Sequence, residues 1–271
     1  MDTRGSEMSP VRNRARASAP EGPTGRAISN GMRFIPVRTR KLLPPKDDVY
    51  SVLDESLPRL CEGDIVFITS KILAIHQGRC VKIGKNIDKR KLVLREADRY
   101  VENRAQYWDF ILTIKDSTLI PSSGIDESNG NGYYILWPKR TNAFLKEIRA
   151  YLKKKYKLKN LAVVATDSHA VPLRWGISGI STGFYGLEPL RDKRGARDIF
   201  GRKLKYTRIN IPDALAAMAV FIMGEAGERT PIIILRGMKG IQFTDKSTWH
   251  KVAIPPRKDL YAPILKEFRT P

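Results

Sequence analysis

Three short stretches of the sequence combine carboxylates, hydroxyls and glycine in patterns that suit phosphate and metal chemistry. They are residues 123–129 (Ser-Gly-Ile-Asp-Glu-Ser-Asn), 166–169 (Thr-Asp-Ser-His) and 223–228 (Met-Gly-Glu-Ala-Gly-Glu). Carboxylate and hydroxyl oxygens are the hard ligands that Mg²⁺ and Mn²⁺ prefer, and glycine lets backbone N–H groups approach phosphate oxygens. Taken singly, Asp126 and Asp167 are more typical of turn caps. The three stretches together favour a site for divalent cations and phosphate.

Basic residues and one histidine are further candidates. Ser70 and Lys71 directly follow an apolar run, which predicts either a cation placed against phosphate or a helix start with a surface lysine. His169 beside Asp167 has the chemistry of a metal ligand or a base, but it has no partner histidine at metal-binding spacing. Three arginines are candidates either for binding an anionic substrate or for ion pairs: Arg174, Arg197 and Arg202.

Several well-known nucleotide and hydrolase motifs do not occur in this sequence. It contains no phosphate-binding loop ending in Gly-Lys-Ser, no three-glycine dinucleotide fingerprint and no Gly-x-Ser-x-Gly nucleophile elbow. A Ser-His-Asp hydrolase is therefore unsupported. Trp137, Trp175 and the pair Tyr133-Tyr134 have the chemistry to stack on nucleic-acid bases, although aromatic residues in such positions are more typical of a core.

Hydrophobic patterning predicts helices and strands in mixed order, which favours an α+β fold of mixed sheets with flanking helices over a doubly wound sheet. The strand at 161–165 is expected to end at Thr166, which places Asp167 on a loop, and residues 175–200 give no clear assignment. Strands are predicted at residues 32–37, 65–68, 108–114, 133–136, 161–165, 204–209 and 232–235, and helices at 49–60, 92–103, 141–155, 212–223 and 260–268.

Composition narrows the class of protein. The 271 residues are 42% hydrophobic, enough for a sizeable core, and no apolar run reaches the ~20 residues that span a bilayer. Residues 1–31 scatter arginine among Ser, Pro and Gly without an apolar centre, which predicts a disordered basic tail rather than a secretory signal. Two cysteines, Cys61 and Cys80, fit a reducing cytosol. We expect a soluble cytoplasmic protein.

The charge is strongly basic. Lys and Arg number 49 against 28 acidic residues, giving +21, and the excess is spread over runs such as residues 85–91, 153–159 and 191–197. Such a balance predicts a polyanionic partner, which includes nucleic acid, an anionic membrane surface or phosphorylated small molecules. A solvated basic surface is an equally good interpretation, so net charge alone does not identify the partner.

Six ordered segments carry a family resemblance. Five are motifs: Gly-Ile-Asp-x-Ser-Asn at residues 124–129, Thr-Asp-Ser at 166–168, Asp-x-x-Gly-Arg-x-Leu at 198–204, Asp-x-Leu-Ala at 213–216 and Met-Gly-Glu at 223–225. The sixth is the N-terminal part, in which the opening strand and the Gly63-Asp64 strand follow in the expected order. From about Phe34 to Gly237 the chain resembles the coenzyme F420:L-glutamate ligase family, a group of γ-glutamyl ligases that use GTP and a divalent metal.

The resemblance implies a reaction and roles for residues. GTP would transfer its γ-phosphoryl group to a substrate carboxylate, and the amine of L-glutamate would attack the resulting acyl phosphate. Asp126 and Asp167 would hold a first Mg²⁺ or Mn²⁺, Ser168 and Glu225 a second, while Lys71 and Arg174 would offset the remaining negative charge. Residues implied to line the nucleotide are Arg38, Thr39, Arg40, Lys41, Thr69, Ser70, Asn129, Met223, Gly224, Ala226, Gly227 and Glu228.

The resemblance also implies an organisation: a two-lobed homodimer with a cleft, a catalytic region at residues 32–237 and a C-terminal extension at 238–271. Departures from the family pattern, including residues 169–174, the segment 38–41 and Ile75, leave the acidic acceptor open between a coenzyme F420 precursor and folate, and the nucleotide open between GTP and ATP. Two other hypotheses stand beside the ligase. One is a basic nucleic-acid-binding protein, and the other is a non-catalytic family member that binds a nucleotide or coenzyme.

Overall fold

A five-stranded sheet forms the centre of the computed structural model, which describes residues 31–102 and 110–271. The strands are β1 Arg33–Val37, β2 Ile65–Thr69, β3 Cys80–Lys82, β4 Arg99–Val101, β5 Leu112–Lys115, β6 Thr118–Pro121, β7 Tyr133–Ile135, β8 Ala162–Ala170, β9 Ile177–Tyr185, β10 Leu190–Asp192, β11 Arg208–Asn210 and β12 Ile232–Arg236. The helices are α1 Val49–Ser56, α2 Ser70–His76, α3 Lys89–Glu96, α4 Thr141–Tyr156, α5 Ile211–Met223 and α6 Ala262–Leu265. No helix among these residues is long and apolar enough to cross a membrane.

The central sheet has the order β1-β12-β2-β8-β9. Only the pair β2–β8 is parallel, and its register places Thr69 opposite Thr166. The first four residues of β2 are fully buried, as expected for the continuous apolar run Ile-Val-Phe-Ile. Because the two strands run side by side in the same direction, the residues that follow Thr69 and Thr166 lie next to each other at one edge of the sheet.

Helices cover both faces of this sheet. Val66 and Ile68 pack with α1 and α4 on one face, and Ile65 and Phe67 pack with α5 on the other, in accordance with the two-residue alternation of a strand. Side-chain caps fix where two of the helices begin. Asp48 accepts the backbone N–H groups of Tyr50 and Ser51 at the start of α1, and Asn210 caps α5.

A smaller group of strands lies between β2 and α4 in the chain. β4, β5 and β6 form an antiparallel sheet, β3 pairs with β7, and their core includes Leu92, Ile111 and Leu136. The segment 122–132 joins β6 to β7 and carries Asp126. Gly124 in this segment has φ +66°, and a side chain there would clash with the ring of Trp137. Glycine is therefore required where the backbone turns toward Asp126.

The α+β class is confirmed, and several boundaries differ from those predicted. The predicted helix at 92–103 is instead α3, which ends at Glu96 and is followed by β4, because residues 99–101 find hydrogen-bond partners on β5. The strand expected to end at Thr166 continues to Ala170, paired with β9, and β9 lies in the segment that gave no clear assignment. The strand predicted at 204–209 is limited to Arg208–Asn210, and the last helix to Ala262–Leu265.

The predicted domain boundaries and the two-lobed cleft stay predictions. Residues 1–30 of the expected tail, and parts of the helix expected to reach 103 and of the strand expected to start at 108, lie outside the described residues.

Candidate active site

One cavity of about 730 Å³ opens beside the end of β2 and the middle of β8. Its wall is built from separate parts of the chain: residues 39–43, the junction of β2 and α2, the segment between β6 and β7, the middle of β8, and the end of α5 with the loop that follows it. The parallel register of β2 and β8 brings two of these parts together, and α5, packed on β8 and β9, adds another. All three stretches singled out in the sequence therefore meet at one cavity.

Asp126 is held in place by its own backbone and by a lysine. Its N–H and C=O pair with Ile135 of β7, at 3.0 and 2.8 Å. Its Oδ2 lies 2.6 Å from Lys71 Nζ, and its Oδ1 accepts the N–H of Ser128 at 2.7 Å. Burial by itself raises the pKa of this carboxyl, but Lys71 and the Ser128 hydrogen bonds outweigh it and lower the pKa below its ordinary value. Asp126 is therefore ionised at neutral pH.

Asp167 lies on β8 in a less favourable electrostatic environment. Ser70 Oγ donates to its Oδ2 at 2.6 Å, and the N–H of Ser168 donates to its Oδ1 at 2.8 Å. Burial, together with the negative charge of Asp126, raises the pKa of Asp167 to about 6 despite these two bonds. A positive charge bound between the two carboxylates would stabilise the ionised form of Asp167.

Glu225, in the loop after α5, completes the acidic set. Desolvation raises the pKa of its carboxyl, Asp126 adds to that shift, and a side-chain hydrogen bond with Ser168 partly offsets it. Two of the three carboxyls therefore have raised pKa values, and all of them feel the charge of Lys71. A divalent cation bound here would relieve the repulsion between these carboxylates.

The oxygen donors of the cavity fit Mg²⁺ or Mn²⁺. In the part of the chain that the structure describes, no three side chains of the types His, Cys, Asp and Glu form a ready metal cage. Mg²⁺ does not need one, because it is usually held by one or two carboxylates together with water and substrate phosphates. Asp126, Asp167, Glu225 and the hydroxyl of Ser168 are oxygen donors of the type that such a site uses.

The loop at residues 224–230 is fixed to the rest of the cavity wall by backbone hydrogen bonds. The N–H of Thr39 donates to the carbonyl of Arg229 at 2.9 Å, and the N–H of Thr69 donates to that of Pro231 at 3.0 Å. Asn129 Nδ2 donates to the carbonyl of Ala226 at 3.0 Å, which ties this loop to the one that carries Asp126. Gly224 has φ +76°, a conformation that glycine adopts without strain.

The segment 39–43 forms the part of the wall next to this loop. Arg40 makes a bidentate pair with Asp47 at 2.7 and 2.8 Å and also bonds Glu55. The Arg40 hydrogen bonds lower the pKa of Asp47 to about 2. These contacts hold the segment in position, so Arg40 borders the cavity with its guanidinium already engaged.

Fifteen of the eighteen predicted site residues line the cavity. They are Thr39, Arg40, Lys41, Thr69, Lys71, Asp126, Asn129, Asp167, Ser168, Met223, Gly224, Glu225, Ala226, Gly227 and Glu228. Ser70, Arg38 and Arg174 do not. The side chain of Ser70 is buried behind Asp167, which it orients. Arg38 is exposed, and Arg174 lies in the turn between β8 and β9, where its guanidinium donates to the carbonyl of Leu173.

Other candidates fall outside the cavity wall. His169 points away from it on β8, Trp137 and Tyr134 belong to the core, and Trp175 is exposed at the turn after β8. Sequence reasoning missed several wall residues with little chemical signature. Leu42, Leu43, Ile72, Ile75, Asn131, Val220 and Thr230 line the cavity as well. Only the position of Thr230, at the end of the glycine-rich stretch, offered a local signal.

Comparison with known proteins gives one consistent family. A sequence profile described as F420-0:Gamma-glutamyl ligase matches residues 37–237. Coenzyme F420:L-glutamate ligase of Methanopyrus kandleri is 31% identical over 226 residues, covering 77% of this chain and 88% of that protein. The protein of the same name from Methanocaldococcus jannaschii is 35% identical over 199 residues, covering 72% and 77%. The chain therefore belongs to the F420-0:gamma-glutamyl ligase family.

Proposed function

We propose that this protein is a nucleotide-dependent γ-glutamyl ligase that joins the amine of L-glutamate to a carboxylate of an acidic acceptor. The observation that carries the proposal is the convergence of Asp126, Asp167 and Glu225 with a glycine-rich loop at a single cavity. Membership of a ligase family makes amide formation the expected reaction. Amide formation from a carboxylate and an amine needs activation of the carboxylate, and a nucleoside triphosphate supplies it.

The reaction proposed runs through an acyl phosphate. An acceptor carboxylate oxygen attacks the γ-phosphorus of GTP, the bond to the bridging oxygen breaks, and GDP leaves. The glutamate nitrogen then attacks the acyl carbon, the C–O bond to phosphate breaks, and the amine loses a proton. Both steps develop negative charge on phosphate oxygens, which positioning and nearby positive charge stabilise.

The residues of the cavity have distinct tasks in this proposal. Asp126, Asp167, Ser168 and Glu225 would hold one or two Mg²⁺ or Mn²⁺ ions, which neutralise the charge on phosphate oxygens when bound. Backbone N–H groups of the loop at 224–230, together with Asn129 and Thr69, would contact the nucleotide. Lys71 supplies a positive charge from the first turn of α2. Arg174 does not line the cavity of its own chain. Its predicted catalytic role therefore requires that it act at a site other than this cavity.

The acceptor proposed first is a coenzyme F420 precursor, because the similar proteins carry the name coenzyme F420:L-glutamate ligase. Folate offers a chemically equivalent γ-carboxylate, so it is the matched alternative. The test uses purified full-length protein with L-glutamate, GTP or ATP, and Mg²⁺ or Mn²⁺, and each acceptor in turn. We expect phosphate release and a product heavier by one glutamyl residue, with the precursor and GTP. No phosphate release with any acceptor, nucleotide and metal would overturn the ligase proposal.

We further propose that the protein is a homodimer, supported by an apolar face that faces solvent in the single chain. The turn between β8 and β9 exposes Leu173 (96%) and Trp175 (92%), and the outer side of α5 exposes Phe221 (82%). With Val171, Ile177 and Met218, these side chains approach the roughly 800 Å² per partner of a standard protein interface.

The same face is suited to a second copy of this chain. Arg174 is the only Lys, Arg, Asp or Glu in residues 168–182, and Asp213 is the only one in Ile211–Met223. Two copies of a chain of net charge +21 repel each other, and the repulsion is weakest where the contacting surfaces carry few charges. A projecting apolar turn beside a helix with the small residues Ala214 and Ala217 provides a protrusion and a shallow surface, as a two-fold contact requires.

A further inference from the structure

Lys71 occupies an unusual place among the oxygens of the candidate site. Its Nζ lies 2.6 Å from Asp126 Oδ2, 2.9 Å from the carbonyl of Ser128 and 3.1 Å from Ser128 Oγ. The three partners use all three N–H donors of the ammonium group. They are carboxylate, carbonyl and hydroxyl oxygens of one loop, which is the kind of ligand set that a hard cation takes.

The positive charge of Lys71 also acts on carboxylates to which the ammonium group is not hydrogen-bonded. Its charge acts on Asp167 and Glu225 as well as on Asp126. The other basic side chains on the described cavity wall are Arg40, Lys41 and Arg229. Among the largest influences on the pKa values of Asp126, Asp167 and Glu225, the positive charge that all three share is that of Lys71. One positive charge therefore faces three acidic groups.

A divalent cation that binds Asp126 competes with the lysine. Asp126 Oδ1 accepts one hydrogen bond, and Oδ2 accepts two, from Lys71 and from Ser128 Oγ. Three of the roughly four acceptor positions of the carboxylate are thus taken. A cation bound to Asp126 would also repel an ammonium group at hydrogen-bond distance from the same oxygen, so the two positive charges compete for it.

The lysine has a second place to go within the same cavity. Lys71 lines the wall together with the loop at residues 224–230, which includes Gly224 and Arg229 and is proposed to contact the nucleotide. A lysine ammonium on its four-carbon stem is a mobile point charge that binds phosphate readily. The stem of Lys71 is anchored on α2, whereas its partners Asp126 and Ser128 belong to the segment between β6 and β7.

We propose that Lys71 is an internal counter-ion that a divalent cation displaces from Asp126, and that the released ammonium group then binds a phosphate oxygen of the nucleotide. The inference rests on the proposed function in one respect, namely that cation and nucleotide share this cavity. It assigns Lys71 two successive partners, one for the empty protein and one for the loaded protein. Removal of its charge should therefore act in opposite directions on the two ligands.

The experiment measures binding, without turnover, on full-length protein. Mn²⁺ affinity is obtained by electron paramagnetic resonance of free Mn²⁺, first without and then with GTP, and GTP affinity by calorimetry at saturating Mn²⁺. The variants are Lys71→Met, Lys71→Gln and Lys71→Arg. Lys89→Met is the matched control, because Lys89 pairs with Glu127, one residue from Asp126, and does not line the cavity.

We expect Lys71→Met and Lys71→Gln to bind Mn²⁺ alone about tenfold more tightly and GTP about tenfold more weakly than the parent protein. Lys71→Arg should stay closer to the parent on both measurements, and Lys89→Met should stay within about twofold. A lysine with a purely structural role would weaken both ligands when removed. If Lys71→Met does not fold, as judged by circular dichroism, Lys71→Gln carries the test, since it keeps a hydrogen-bond donor.

Unchanged or weaker Mn²⁺ binding in the charge-removing variants would overturn the inference, as would a parent protein and charge-removing variants that all bind no Mn²⁺, with or without GTP. These outcomes are distinct from failure of the ligase proposal. A protein that binds both ligands with the opposite shifts, but forms no amide, would retain the counter-ion role and lose the proposed reaction. A protein that forms the amide while Lys71→Met binds Mn²⁺ as the parent does would lose only the counter-ion role.

Discussion

Strand β8 passes through two regions with opposite chemistry within a few residues. At Asp167 and Ser168 it forms part of the cavity wall, where polar side chains are hydrogen-bonded and charges are paired. Beyond Ala170 the chain turns back into β9, and this turn exposes Leu173 and Trp175 almost completely. The first region satisfies its polar groups within one chain, whereas the second leaves large apolar side chains in water. The cavity is thus lined by hydrogen-bonded and charged groups of this chain, whereas the turn presents the apolar face on which the proposed dimer depends.

The largest effect is expected from Asp167→Asn, which removes a charge from the cavity and preserves side-chain shape. We expect ligase turnover to fall by about a thousandfold or more, because charge stabilisation of the transferred phosphoryl group depends on the cation held there. Turnover is measured as phosphate release and folding by thermal unfolding. Asp259→Asn, in an exposed turn near the C-terminus, is the control and should keep full activity. Residual activity within about tenfold of the parent would mean that Asp167 has only a structural role within β8.

An intermediate effect is expected when charge is placed on the apolar face. Leu173→Asp combined with Phe221→Asp should convert a dimer into a monomer, because each buried carboxylate would lack a partner. Light scattering after size-exclusion chromatography gives the mass. Leu260→Asp introduces the same charge at a side chain that is 86% exposed elsewhere and should leave the mass unchanged. A parent protein that is monomeric at micromolar concentration, or a dimeric double variant, would rule out this face as the dimer contact.

The smallest effect is expected from Ser70→Ala, which tests how the cavity tunes its own carboxylates. The Ser70 hydroxyl donates to Asp167 and so favours the ionised form, which lowers the pKa of this carboxyl. With this hydrogen bond in place, burial still raises the pKa of Asp167 to about 6. Loss of this donor should therefore raise the pKa of Asp167 further. Carboxyl carbon NMR titration of metal-free protein measures it.

The control for this titration is Ser51→Ala. Ser51 makes the same kind of bond to Asp48, which caps α1 outside the cavity wall, so the substitution should leave the Asp167 midpoint unchanged. An Asp167 midpoint identical in the parent and in Ser70→Ala would show that the hydroxyl does not tune the carboxyl.

Elements that depend on local chemistry were predictable from the sequence. The apolar run 65–68 becomes the buried strand β2, the helix predicted at 49–60 begins at Val49 behind its cap Asp48, and the helix predicted at 212–223 is α5. The outer half of β8 was not predictable, because residues 166–169 are polar and resemble a turn. Their strand conformation comes from pairing with β9, a contact that local pattern does not encode.

The roles of individual site residues were predictable to different degrees. The carboxylates and the glycine-rich loop were recognisable by type and motif, and all of them line the cavity. Arg38, Ser70 and Arg174 do not line the cavity, and their predicted roles stay predictions. Whether a serine next to a strand end faces a cavity or the back of a neighbouring carboxylate depends on the register of β2 with β8. Arg174 lies outside the cavity wall because β8 continues to Ala170, so that the turn with Arg174 comes after the strand has passed the cavity.

The sequence by itself determined the family, the α+β class and the identity of the acidic and glycine-rich segments, since these follow from residue types and their order. Only the tertiary structure decided that Asp126, Asp167 and Glu225 share one cavity, and that Lys71 lies among the oxygens of the Asp126 loop. It also decided that the turn after β8 presents its apolar side chains to solvent. The physical reason is that charge pairing and burial depend on distances between residues far apart in the chain, and those distances are set by strand register and helix packing.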